Sequence, residues 1–193
     1  MSKSLLLALV LAGLASWPGH VAALTVSGPI NINTTWRVAN SPVLVAGDVN
    51  LAAGVKLVVE AGVNVRLASG VSISAAAGGA LQVDGSALSP VLFTPKIAGE
   101  KWGVLRASGG NATLTLRHAE LAYGGAELGG GATGLIEDSR LHDTHSAIVA
   151  NGAKFVTMRR NHVWNFSETI FNSGTIILAE DSLYEHMTAP DSD

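Results

Sequence analysis

Apolar and polar positions alternate along most of this chain in short runs, and Gly closes many of the runs. Gly54-Val-Lys-Leu57, Gly62-Val-Asn-Val65 and Gly70-Val-Ser-Ile73 follow one another at an even interval, and Gly79-Ala-Leu-Gln-Val83 comes one place late. In each unit the apolar residue after Gly shares a face with the one two places on. The residue between them (Lys56, Asn64, Ser72) faces solvent. Val and Ile at alternate positions are strand formers, and this period does not suit an amphipathic helix. Gly suits the corners because it accepts φ > 0 without strain. Three such sides make a coil of roughly 22 to 24 residues, within the range of stacked repeats.

A second rhythm follows. Leu116-Arg-His-Ala-Glu-Leu121, Ile136-Glu-Asp-Ser-Arg-Leu141, Met158-Arg-Arg-Asn-His-Val163 and Leu178-Ala-Glu-Asp-Ser-Leu183 are versions of one phrase, spaced by nearly constant steps. The same register aligns Leu114, Gly134, Val156 and Ile176, and further on Leu128, Ile148 and Ile170. Recurring apolar columns at this period predict an all-β protein, a parallel β-helix of about seven coils in which each coil covers its neighbour's apolar face.

Three regions are expected. Residues 1–23 read as a signal peptide: one Lys, an apolar run from Leu5 to Ala15, the breakers Trp17-Pro18-Gly19, and small residues up to Ala23. That run is too short for a permanent membrane span, which needs ~20 apolar residues. Residues 24–48 form an N-terminal cap, in which Trp36 plugs the open end of the core; stacking on a sugar is its alternative role. Residues 49–193 form the β-helix, truncated or open at its C-terminal end, which another β-helix chain would then cover. The expected destination is secreted, periplasmic or cell-surface.

Composition narrows the chemistry. The 193 residues are 48% hydrophobic but only 5% aromatic, so the core is built from small side chains, with 22 Gly. A formal net charge of −3 offers no broad basic field for nucleic acid. Without Cys there is no disulfide, thiolate catalysis or Cys-bound metal.

The chain resembles the secreted right-handed parallel β-helix proteins of the pectin-lyase-like fold. The resemblance rests on the stretch from Gly47 to Val65, on Trp102-Gly-Val-Leu105 and on Arg160-Asn-His-Val163, and it covers nearly all of the chain after residue 23. It implies the architecture rather than an activity, because this fold carries lyases, hydrolases, epimerases and inert repeats. The Gly-His-Gly, Arg-x-Lys and paired Asp of its hydrolases are absent, as is the Asp-Pro-His of its epimerases. No Asp cluster suggests the Ca²⁺ site of its lyases.

Stacking the four phrases also gives polar columns: His118, Asp138, Arg160, Glu180; Arg117, Glu137, Arg159, Ala179; Glu120, Arg140, His162, Ser182. Signs alternate along them, counting His as basic. The first column reads either as a catalytic cluster or as an ion ladder between coils, and the ladder is preferred. Ala119, Ser139, Asn161 and Asp181 align at an expected corner, where polar members would bond the turn backbone. The richest polar patch is His142, Asp143 and His145, with Trp164 and Tyr184 in the His142 column. It is the candidate carbohydrate-binding site, and no cofactor or metal is assigned to it. The expected function is therefore an exported structural or binding module, with possible polysaccharide as its ligand; a carbohydrate-active enzyme, or a fragment of one, is the alternative.

Overall fold

A short strand that turns alternate side chains inward has no cover of its own, so successive turns must supply it. The computed structural model describes residues 23–168 and 171–185. They wind into a parallel β-solenoid of about seven turns, right-handed as parallel crossovers are. Among the described residues the one helical element is the 3-10 turn Val38–Asn40, and no helix is long and apolar enough to cross a membrane. The leader expected over residues 1–23 lies almost wholly outside the described residues.

Each turn lays strands on three faces. Leu24–Ile30 and Val43–Leu51 run across the first two faces and pair with each other. The first face continues through Asn64–Leu67, Val91–Pro95, Ala119–Ala122, Arg140–Ser146, His162–Glu168 and Leu183–Glu185. The second carries Ile73–Ala75, Val104–Ser108, Gly125–Gly129, Ile148–Asn151 and Phe171–Ser173. The third stacks Thr34–Trp36, Lys56–Glu60, Ala80–Asp84, Thr113–Arg117, Thr133–Glu137, Phe155–Arg159 and Ile176–Glu180.

Inward residues form continuous columns. On the third face one reads Trp36, Val59, Val83, Leu116, Ile136, Met158, Ala179. Those from Trp36 to Met158 are buried, and each Val, Leu or Ile so buried contributes ~1.5–3 kcal/mol. Trp36 is 1% exposed, which fits the plug and leaves no ring face for a sugar. Gly134 takes a place between Leu114 and Val156; a Cβ there would meet Leu128 Cδ2 at 2.3 Å, so the Leu128 side chain fills that layer.

Three expected alignments shift. The left-handed corner glycine is Gly78 (φ 71°), not Gly79, so Gly54, Gly62, Gly70 and Gly78 turn the chain at one unbroken interval. The final repeat is displaced by one place: Met158 pairs with Ala179 rather than Leu178, and Val156 with Ile177 rather than Ile176. Leu178 therefore points outward. Ile176, Ile177 and Leu178 are three apolar residues in a row, so alternation could not choose between the registers. On the second face Ile148 pairs with Ala126, and Leu128 with Ala150; Ile170 lies outside the described residues.

The corner column moves as well. His118, Asp138, Arg160 and Asp181, with φ of 44°, 51°, 50° and 48°, turn the third face into the first. The next column, Ala119, Ser139, Asn161 and Ser182, faces inward and bonds the turn backbone as expected. Ser139 Oγ accepts from Ala119 N at 3.1 Å, Asn161 Oδ1 from Ser139 N at 3.0 Å, and Ser182 Oγ from Asn161 N at 3.2 Å. Asn161 Nδ2 also donates to Ile136 O at 2.8 Å. Each polar side chain thus satisfies the coil before it, which is why polar groups are tolerated there.

Two measurements check this register. Ile136→Asp places a charge in the closed core and is expected to abolish cooperative folding, whereas Glu137→Ala, on the outer side of the same strand, costs about 1 kcal/mol or less in urea denaturation. Asn161→Ala leaves the Ser139 N–H and the Ile136 carbonyl without these partners and is expected to lose ~1–3 kcal/mol. Equal losses at Ile136 and Glu137 would refute the inward and outward assignment.

Candidate functional site

The sharpest departure from regular repeat chemistry lies on the outer surface of the first face. In the early coils its two margins turn on Gly62 and Gly70, with φ of 80° and 71°. In the later coils the same margins turn on larger residues: His118, Asp138, Arg160 and Asp181 on one side, Tyr123, Asp143 and Asn165 on the other. Of the described non-glycine residues with positive φ, all but Asn111 stand on these two margins. A non-glycine residue in this region is uncommon, and such strain gathers where side chains have work to do.

Between the margins the strands present two outward columns. One holds Glu120, Arg140, His162 and Leu183; the other holds Ala122, His142, Trp164 and Glu185. Two insertions rise beside this surface. Leu81 and Leu114 are partners in adjacent coils, as are Leu114 and Gly134, yet far more chain separates the first pair than the second. The extra chain forms loop 85–90 at one margin and loop 96–102 at the other. A shallow groove of about 320 Å³ lies against the first loop, lined by Ser86, Pro90, His118, Arg140, Arg160 and His162.

Charge in the groove is largely paired. Arg160 donates to both oxygens of Asp138 at 2.7 and 2.6 Å. That guanidinium holds the Asp138 carboxyl below its ordinary pKa, outweighing the partial burial that pushes it up. Arg160 also lies 3.8 Å from Glu137, and Arg140 lies 3.7 Å from Glu120. Asp138 and Arg160 thus form the ion pair that the preferred ladder reading of this column expected. The third-face ladder is longer than its sequence column: Glu180 follows Arg159 at 3.0 Å, in place of Ala179.

The aromatic group sits beside the groove. The His142 and Trp164 rings are stacked, with centroids 4.3 Å apart and planes at 9°, and His162 tilts against the same indole at 4.4 Å. His142 Nδ1 lies 2.6 Å from Asp143 Oδ2, and its Nε2 lies 3.6 Å from Glu120. Asn165 Nδ2 donates to the other Asp143 oxygen. Burial raises the Asp143 pKa, but the hydrogen bonds from His142 and Asn165 outweigh it and hold the carboxyl low. His162 Nε2 in turn lies 2.6 Å from Glu185.

Three of the five candidate residues therefore meet: His142, Asp143 and Trp164. His145 does not join them, because the chain turns at Asp143 and carries His145 onto the second-face side, where it lies 3.1 Å from Glu168. Tyr184 does not join them either. The one-place shift pairs it with Val163 and gives the Trp164 position to Glu185. Tyr184 packs against the core, and burial raises its pKa. No group of three His, Cys, Asp or Glu able to hold a metal occurs among the described residues.

Asn165 and the loop wall were not singled out in the sequence, and Glu120 stood there only in a charge column, not beside His142. The long stretch between Leu81 and Leu114 was the available signal, since insertions in a solenoid collect on one surface. No protein-family model matches the chain, and no curated protein or solved structure matches it.

The lowered carboxyl of Asp138 gives a pH test. A depressed folded pKa stabilises the native state above the unfolded value of about 3.9, and that contribution disappears as pH falls through the folded value. Asp138→Asn keeps a residue that tolerates the left-handed corner. It is expected to be less stable than the parent at neutral pH in chemical denaturation, with the difference shrinking as pH falls below the unfolded carboxyl value and vanishing once the folded carboxyl is protonated. A pH-independent difference would show that the ion pair contributes nothing.

Proposed function

We propose that this protein is an exported β-helix module that binds polysaccharide on the outer surface of its first face without cleaving it. The observation that carries the reading is the replacement of glycine by His, Asp, Arg, Tyr and Asn at both margins of that surface in the later coils, where the groove also lies. These side chains frame an open surface on a rigid parallel sheet, which suits a long polymer better than a compact metabolite. Arg140, 65% exposed, and His162 supply donors to hydroxyl or carboxylate oxygens. Trp164 supplies an apolar edge, although the His142 ring covers one of its faces.

The non-catalytic part of the proposal rests on the pairing of the carboxyl groups. Asp138 and Asp143 are both held below their ordinary pKa. A general acid or base working near neutral pH needs the opposite shift. The export part rests on the leader-like sequence of residues 1–23, and the secreted pectin-lyase-like resemblance points the same way.

Affinity electrophoresis in native gels containing pectin, alginate or a neutral glucan tests the proposal. At least one polymer is expected to retard the protein, with Arg140→Ala and Trp164→Ala binding about tenfold more weakly, a loss of ~1.4 kcal/mol. The same mixtures are assayed for unsaturated or reducing-end products, whose release would replace the binding module by an enzyme. Retardation by none of the polymers would overturn the binding reading. Recovery of the product outside the cytoplasm, with the mass expected after removal of residues 1–23, checks export.

A further inference from the structure

The inward columns are closed over in the middle of the solenoid, whereas among the described residues of the terminal coils only Trp36 is buried. Val43, Val45 and Leu51 are buried, and so are Val156 and Val163. Their neighbours in the terminal described coils are not. Leu24, Val26 and Ile30 at one end, and Ile177 and Tyr184 at the other, pack against the core yet stay partly exposed. Strand edges end there too. Among the described residues Leu24–Ile30 pairs only with Val43–Leu51, Thr34–Trp36 only with Lys56–Glu60, and Ile176–Glu180 only with Phe155–Arg159. An unpaired edge over an apolar layer is a template for another strand.

The ends also differ in charge. The outer ladder at the third-face margin runs Arg37, Glu60, Asp84, Arg117, Glu137, Arg159, Glu180. Within it Arg37 lies 3.5 Å from Glu60, Arg117 lies 2.6 Å from Glu137, and Arg159 lies 3.0 Å from Glu180. The column begins on a cation and finishes on an anion. Both terminal members keep room for another partner, Arg37 with 63% and Glu180 with 47% of the side chain exposed. Stacking the last described coil of one copy under the first coil of the next would continue the ladder with the correct sign.

We propose that the two ends bind one another in separate copies of this chain, so that the solenoid continues head to tail with Glu180 of one copy beside Arg37 of the next. The partner is a second copy because one surface must supply parallel strand edges, partly exposed apolar residues beneath them and a charge of matching sign in register. The contact uses different patches on the two copies, so it is open-ended and gives chains rather than closed dimers. The rival occupants of the ends are this chain's own segments 1–22 and 186–193.

Sedimentation velocity separates these outcomes. The full chain is expressed from its own start codon, the mass of the product is recorded, and association is followed over about a hundredfold range of concentration without polysaccharide. The parent is expected to form larger species as concentration rises, and added salt should weaken them. Arg37→Glu and Glu180→Arg alone should each weaken association about tenfold or more, since like charges would then face each other. The double variant restores opposite signs and should recover most of the loss. Circular dichroism confirms that each variant keeps its strands. A parent that stays monomeric throughout, or a double variant no better than the singles, would overturn the proposal. Association that appears only after removal of 186–193 would assign the end to that segment instead. Polymer binding is measured separately, so either proposal can fail without the other.

Discussion

Parallel pairing of each strand with its copies above and below is the constraint on which this structure depends. Neighbouring coils sit ~4.8 Å apart, so every residue is held close to its counterparts one turn away. A side chain must therefore suit a column as well as a position. Apolar columns close the core, and the polar inward column from Ser139 to Ser182 survives because each member hydrogen-bonds the coil before it. Outside, like charges would stack on like. The sequence mostly avoids this, apart from Glu60 above Asp84, by setting Arg117, Glu137, Arg159 and Glu180 in alternation.

The same constraint explains how the candidate site is built. Corners repeat in register, so a choice made at one corner faces the corners above and below it. Glycine corners leave bare backbone along an edge. Replacing them with Asp138, Arg160, Asp143 and Asn165 turns the two edges into rows of functional groups linked across coils: Arg160 to Asp138, and Asn165 to Asp143. His142 and Trp164 stack for a related reason, since they occupy one outward column in adjacent coils. Backbone strain at the margins and ring stacking between them thus have one geometric origin.

The fold was readable in the sequence because alternation and an even glycine rhythm leave few other structures open. Register was readable only where parity was unambiguous. Leu116, Ile136 and Met158 aligned correctly, whereas the run Ile176-Ile177-Leu178 concealed a one-place shift. That shift carried through to the next strand and misplaced Tyr184. Three of the five candidate residues came together for the same reason: His142, Asp143 and Trp164 follow correct spacing, while His145 follows a corner that periodicity does not reveal. The groove was not readable, because loop 85–90 belongs to a coil of irregular length, and its position over Arg140 and His162 depends on contacts between distant parts of the chain.

Both loops leave the solenoid at corners and return to the same register, with Val91 on the first face and Leu105 on the second taking their places in intact columns. The frame and the rim of the groove can therefore diverge at different rates over evolutionary time. Changes in loop length would reshape what the surface accepts without disturbing a core column, whereas a single insertion inside a strand would turn every later side chain of that strand to the wrong side.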